Sequence, residues 1–96
     1  MNLQQITKYI LSDMPAGSCA WDINCGLCEE WAEAARLVVG GDCVWLDQVD
    51  DAYQDVAHCV LLLDGRYFDS QHPSGVDHPS ELSIVRGVSR TDWLVL

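Results

Sequence analysis

Leu3, Ile6 and Ile10 recur at helical spacing, which predicts a short helix over residues 3 to 11. The run Ser12-Asp13-Met14-Pro15-Ala16-Gly17 ends it, and the stretch from there to Asn24 reads as a loop. A second, stronger helix is predicted from Asn24, a competent N-cap, to the glycine pair Gly40-Gly41. Cys28, Trp31, Ala32, Ala35 and Val39 form its apolar face, while Glu29, Glu30, Glu33 and Arg36 point elsewhere. Beyond Gly41 the period changes. Cys43 to Leu46 reads as a buried strand, Ala57 to Leu63 as a central strand, Asp64-Gly65 as a two-residue turn and Arg66 to Ser70 as the returning strand. Pro73, Gly75 and Pro79 predict irregular chain over residues 71 to 80, and residues 83 to 86 and 93 to 96 are candidate closing strands.

These elements predict one α+β domain over residues 1–96: two N-terminal helices packed on a small antiparallel sheet centred on the 57–70 hairpin. The expected core contains Leu3, Ile6, Ile10, Trp31, Ala35, Val44, Leu46, Val60 or its neighbours, Phe68 and Ile84. At 96 residues, 49% of them hydrophobic and four of them tryptophan, the chain has enough material for a single core.

Fifteen acidic residues against five basic ones give a formal charge of −10, which opposes direct nucleic-acid binding and anionic membranes and favours basic partners. Asp47, Asp50, Asp51 and Asp55 cluster in what reads as a solvated loop. Five cysteines are an odd number, and Cys43 and Cys59 lie in apolar runs, so a secreted disulfide framework is disfavoured. Residues 1 to 10 lack the pattern of a signal peptide, and nowhere do eighteen apolar residues run together. The expectation is a reduced, cytoplasmic protein that does not span a membrane.

One constellation could do chemistry. Cys28 lies at a predicted helix start, where unpaired N–H groups and the helix dipole favour a thiolate. If Asp64 and Gly65 are the central residues of a primed turn, Leu63 pairs with Arg66 and Leu61 with Phe68, which leaves His58, Val60, Asp69 and Gln71 on one face. His58 is then diagonal to Asp69, as a base and its orienting carboxylate require. A one-residue bulge would put them on opposite faces, and the sequence leaves that register open. A buried structural thiol and a carbonyl-bonded histidine are the plainer alternatives.

Cys25-Gly26-Leu27-Cys28 resembles the Cys-Gly-Ser-Cys-Trp segment of papain-like cysteine peptidases. Gly26 to Ala32 is similar to the Gly-x-Cys-acidic-acidic-aromatic-Ala helix of transglutaminase-like proteins, and His58 to Asp69 resembles their histidine strand, hairpin and aspartate strand. Small phage and bacterial proteins of that superfamily follow the hairpin with a segment like Pro73-Ser74-Gly75-Val76-Asp77. The resemblance covers residues 24 to 82. It implies a papain-like or transglutaminase-like core, with Cys28 as nucleophile, His58 as base and Asp69 as orienter, in amide hydrolysis or transamidation of a peptide or amide substrate. No cofactor and no metal are expected. Two departures stand out: Asp22 occupies the place of the papain oxyanion glutamine, and Glu29 that of the aromatic after the nucleophile. An inactive member of the family is the corresponding variant of this reading.

Two further readings come from other classes. The chain's small size, acidity and phage-like resemblance suit a non-catalytic interaction protein, such as an anti-CRISPR inhibitor that covers a basic nucleic-acid channel. The Cys-x-x-Cys spacing with Trp21 before it is also similar to thioredoxin, although that fold needs a buried strand leading into Cys25, and Leu27 stands where proline is usual. A zinc site would need a second cysteine pair, and His72 and His78 flank prolines in a predicted loop. Exposed edges on so small a sheet make a dimer reasonable.

Overall fold

A computed structural model describes residues 2–48, 57–83 and 93–95. Helix α1 spans Leu3–Ser12, and its start is fixed reciprocally: Gln5 N–H donates to Asn2 Oδ1 at 2.9 Å and Asn2 N–H to Gln5 Oε1 at 2.7 Å. Helix α2 spans Ala20–Gly26 and helix α3 spans Cys28–Val39. Strands β1 (Asp42–Gln48), β2 (Ala57–Leu63), β3 (Arg66–Asp69), β4 (His72–Val76) and β5 (Trp93–Val95) form one sheet in the order β4-β3-β2-β1-β5. Every pairing is antiparallel.

The described residues are therefore α+β, as the hydrophobic pattern predicts, with three α-helices among them rather than two. Helix α2 begins within the predicted loop before Asn24, and Asn24 lies inside that helix instead of capping the next one. Asp22 closes the first turn of α2 by accepting the Cys19 N–H at 2.8 Å. Leu27, at φ −125° and ψ 27°, leaves the helical region for one residue and separates α2 from α3. That break makes Cys28 the first residue of α3. Residues 71 to 80 also depart from expectation, because His72–Val76 pairs with β3 and Pro79–Glu81 forms a single 3₁₀ turn. Proline is tolerated in β4 because it is an edge strand. Strand β1 is longer than the predicted 43–46, and β3 stops at Asp69, one residue short of the predicted Ser70. Ile84 and residues 84 to 86 of one predicted closing strand lie outside the described residues.

The sheet has a core layer on each face. Leu61 packs with Leu3, Ile6, Ile23, Trp31 and Ala35 on the helical face, joined by the half-buried Ile10, Leu63 and Phe68. Leu46, Val60 and Leu82 form the opposite layer, with Val44, Tyr67 and Val76 against it. Trp31, 1% exposed, also donates its Nε1–H to Thr7 Oγ1 at 2.9 Å, which ties α3 to α1. Entry into β1 requires glycine: at Gly41, φ is +91° and a Cβ would lie 2.7 Å from the Leu62 carbonyl oxygen.

Candidate active site

Asp64 and Gly65 have φ of 53° and 77°, the signs that a type I′ turn demands at both central residues. The turn fixes the register as Leu63↔Arg66, Leu62↔Tyr67 and Leu61↔Phe68, with no bulge in this pairing. His58 and Asp69 consequently share the face of Val60, away from α3. His58 Nε2 lies 3.0 Å from Asp69 Oδ2, and the two side chains are 0% and 1% exposed.

Asp69 does two things at once. Its Oδ1 accepts the Gln71 N–H at 3.0 Å and the His72 N–H at 2.9 Å, which builds the turn from β3 into β4. Its Oδ2 is thereby aimed at the imidazole. The carboxylate that orients the ring is the same group that shapes the turn.

Cys28 reaches the site from the other face. In a two-residue hairpin the closing pair Leu63↔Arg66 is hydrogen bonded, so the bonded positions on β2 continue through residues 61 and 59. The Cys59 N–H should then pair with Ser70, but β3 has already ended at Asp69. Cys59 N–H instead donates to Cys28 Sγ at 3.5 Å. The sulfur occupies the acceptor position that β3 vacates, in the split between the strands, where groups from both faces of the sheet can meet.

With Nε2 held by Asp69, Nδ1 is the His58 nitrogen left to face the thiol, and it is buried with no hydrogen-bond partner among the described residues. The approach falls short of a full hydrogen bond, yet each group shifts the titration of the other. Burial pushes the Cys28 thiol up, but His58 and the N–H groups of Cys59 and Glu29 outweigh it and bring the thiol below its ordinary value. Burial likewise favours the neutral His58 ring, and Asp69 and Cys28 outweigh it and raise the ring above its ordinary value. Both shifts favour a thiolate beside an imidazolium. Three other thiols move the opposite way: burial raises Cys25 and Cys43, and pushes Cys59 up to about 12.

The structure thus brings Cys28, His58 and Asp69 into one place. Sequence reasoning missed the Cys59 N–H, although the bonded register of the hairpin pointed to it. It also missed a buried polar cluster beside Asp69. Asn24 Nδ2 donates to Gln71 Oε1 at 3.0 Å, and the Ser70 hydroxyl shares its hydrogen between Asn24 Oδ1 at 2.7 Å and the Ala20 carbonyl at 2.8 Å. His72 is half-buried, and its Nε2 accepts the Ser83 N–H at 3.0 Å. The helix α2 stands where a thioredoxin-like chain needs a strand before Cys25. All five cysteines are free, and no group of three or more His, Cys, Asp or Glu among the described residues could hold a metal ion.

No protein family matches this chain, and neither curated proteins nor solved structures give a match. No helix among the described residues is long and apolar enough to cross a membrane. A surface cleft of about 370 Å³ is lined by Asn2, Leu3, Gln4, Val39 and Pro73. Val39 ends α3 while Cys28 begins it, so about 16 Å of helix separates the cleft from the thiol. Asp50, Asp51 and Asp55 of the acidic cluster lie outside the described residues.

Proposed function

We propose that this chain performs thiol-dependent acyl transfer, with Cys28 as nucleophile, His58 as proton carrier and Asp69 as the group that orients the ring. The observation that carries the reading is the buried His58–Asp69 contact of 3.0 Å beside a half-buried thiol at a helix start. The ring is closed to solvent and the sulfur is not, so substrate meets the sulfur first. A papain-like or transglutaminase-like core accommodates this order of thiol, imidazole and carboxylate along the chain.

In the first half-reaction the Cys28 sulfur attacks a carbonyl carbon, and the carbonyl oxygen takes the negative charge. The intermediate collapses as His58 gives its proton to the departing amine, leaving a thioester on Cys28. In the second, His58 takes a proton from water or an acceptor amine as that group attacks the thioester, and the Cys28 sulfur leaves. Hydrolysis and transamidation differ only in that acceptor. Asp22 caps α2 through the Cys19 N–H and offers no hydrogen-bond donor to an oxyanion. The Cys28 main-chain N–H at the start of α3, supported by the helix dipole, is the donor this chain supplies. A reducing, cytoplasmic setting suits a protein whose five cysteines form no disulfide.

The test uses p-nitrophenyl acetate as an acyl probe. Release of p-nitrophenol should accompany an acetyl adduct at Cys28, found by mass spectrometry of the peptide. Cys28→Ala should abolish the adduct, and His58→Ala should slow its formation by about 10²-fold or more. Acetylation spread evenly over all the thiols would contradict the proposal. In that event the alternative is a non-catalytic interaction protein, sensitive to charge reversal at Asp50, Asp51 and Asp55 and indifferent to Cys28→Ala.

A further inference from the structure

The split between β2 and β3 is held open from outside the sheet. By hairpin register, Ser70 belongs opposite Cys59, where its main chain would take the Cys59 N–H and close the ladder. Ser70 is instead turned to α2: its hydroxyl lies 2.8 Å from the Ala20 carbonyl and 2.7 Å from Asn24 Oδ1. Asn24 holds the next residue as well, through Gln71 Oε1 at 3.0 Å. Asn24 and Ser70 are each 4% exposed, so water does not compete for these bonds. Asn24 lies four residues before Cys28, across the Leu27 break, so the helix that grips the β3–β4 turn is covalently joined to the helix that carries the thiol.

We infer that Asn24 and Ser70 are positioning residues for Cys28: by pinning the β3–β4 turn to α2 they keep the Cys59 N–H out of the ladder and available to the sulfur. Neither side chain needs to touch the substrate. Their effect passes through one main-chain N–H, which donates to Cys28 Sγ at 3.5 Å. The same clamp seats Asp69, because Gln71 supplies one of the two main-chain N–H groups on Asp69 Oδ1. One buried amide therefore serves both ends of the constellation. This inference rests on the thiol chemistry proposed above and adds the device that keeps it in register.

The test is the pH dependence of Cys28 alkylation by iodoacetamide, read peptide by peptide in the full chain, since alkylation reports the thiolate without requiring a substrate. In Ser70→Ala, which removes one oxygen, and in Asn24→Ala, the midpoint should move up by about one pH unit, a tenfold loss of thiolate below it. Thr7→Val removes the Trp31 bond, which involves neither the Asn24–Ser70 clamp nor the Cys59 N–H, and should lower the melting temperature while leaving the midpoint in place. Should Asn24→Ala not fold, Ser70→Ala alone decides. A midpoint unchanged in folded Ser70→Ala, with the wild type still alkylated at low pH, overturns the clamp and leaves the acyl-transfer proposal standing. An ordinary thiol midpoint in the wild type itself overturns both.

Discussion

Cys28 and His58 shift in opposite directions, and the consequences for stability have opposite signs. The Cys28 thiol titrates below its ordinary value in the folded chain, so its contribution is present above that ordinary value and is lost as pH falls through the lowered one. His58 titrates above its ordinary value, so its contribution is full below the unfolded value and is lost as pH rises through the raised one. Where the two windows overlap, the slopes offset and the pair gives a plateau. Denaturant unfolding of wild type and Cys28→Ala across pH checks this. The wild-type advantage should shrink as pH falls through the lowered Cys28 value, and an advantage that stays constant into acid contradicts the assignment. Cys59 enters only above the ordinary thiol value, where the unfolded chain ionises while the folded thiol, pushed up to about 12, does not, so its effect there is a loss of stability as pH rises.

Among the elements, β4 depends on one residue most directly. Gly75 has φ +81°, and a Cβ there would lie 2.6 Å from Phe68 Cε2, inside the ring that packs beneath the helices. Gly75→Ala should cost about 1–3 kcal/mol from backbone strain together with displacement of that ring. Gly26→Ala, where nothing lies within 4 Å of the new methyl and φ is not positive, should be close to neutral. Thermal unfolding of the two variants makes the comparison, and equal losses would contradict it. The elements also differ in how far the sequence announces them. The hairpin is legible because Asp64-Gly65 has one good solution, and that solution sets the register that pairs His58 with Asp69. Strand β4 is illegible because Pro73 and Gly75 read as breakers, and only its edge position makes them acceptable. Helix α2 has seven residues and buries just Ile23 and Asn24, too little periodicity to stand out from a loop. The helix break rests on the single non-helical residue Leu27, at φ −125° and ψ 27°, and leucine is an ordinary helix former that gives no local sign of a stop.

At the scale of the whole molecule, the candidate site is where the two core layers meet. The thiol comes from the helical side, the imidazole and carboxylate come from the other, and they converge where the β2–β3 ladder ends beyond the Leu61↔Phe68 pair. The sequence gives the three residue types and their order, along with the face shared by His58 and Asp69. It does not give the strand split, which depends on Ser70 turning to α2 across 46 and 50 residues of chain. The net charge of −10 favours the approach of cationic or neutral molecules over anionic ones.

Whether Cys28, His58 and Asp69 act as one unit is tested most directly by an NMR titration of the His58 ring in wild type and in Cys28→Ala. Coupling between the two groups should keep the wild-type ring protonated above the ordinary histidine value and give a clear downward shift when the sulfur is removed. Superimposable titration curves for the two proteins would show that the thiol and the imidazole do not sense each other, and would contradict it.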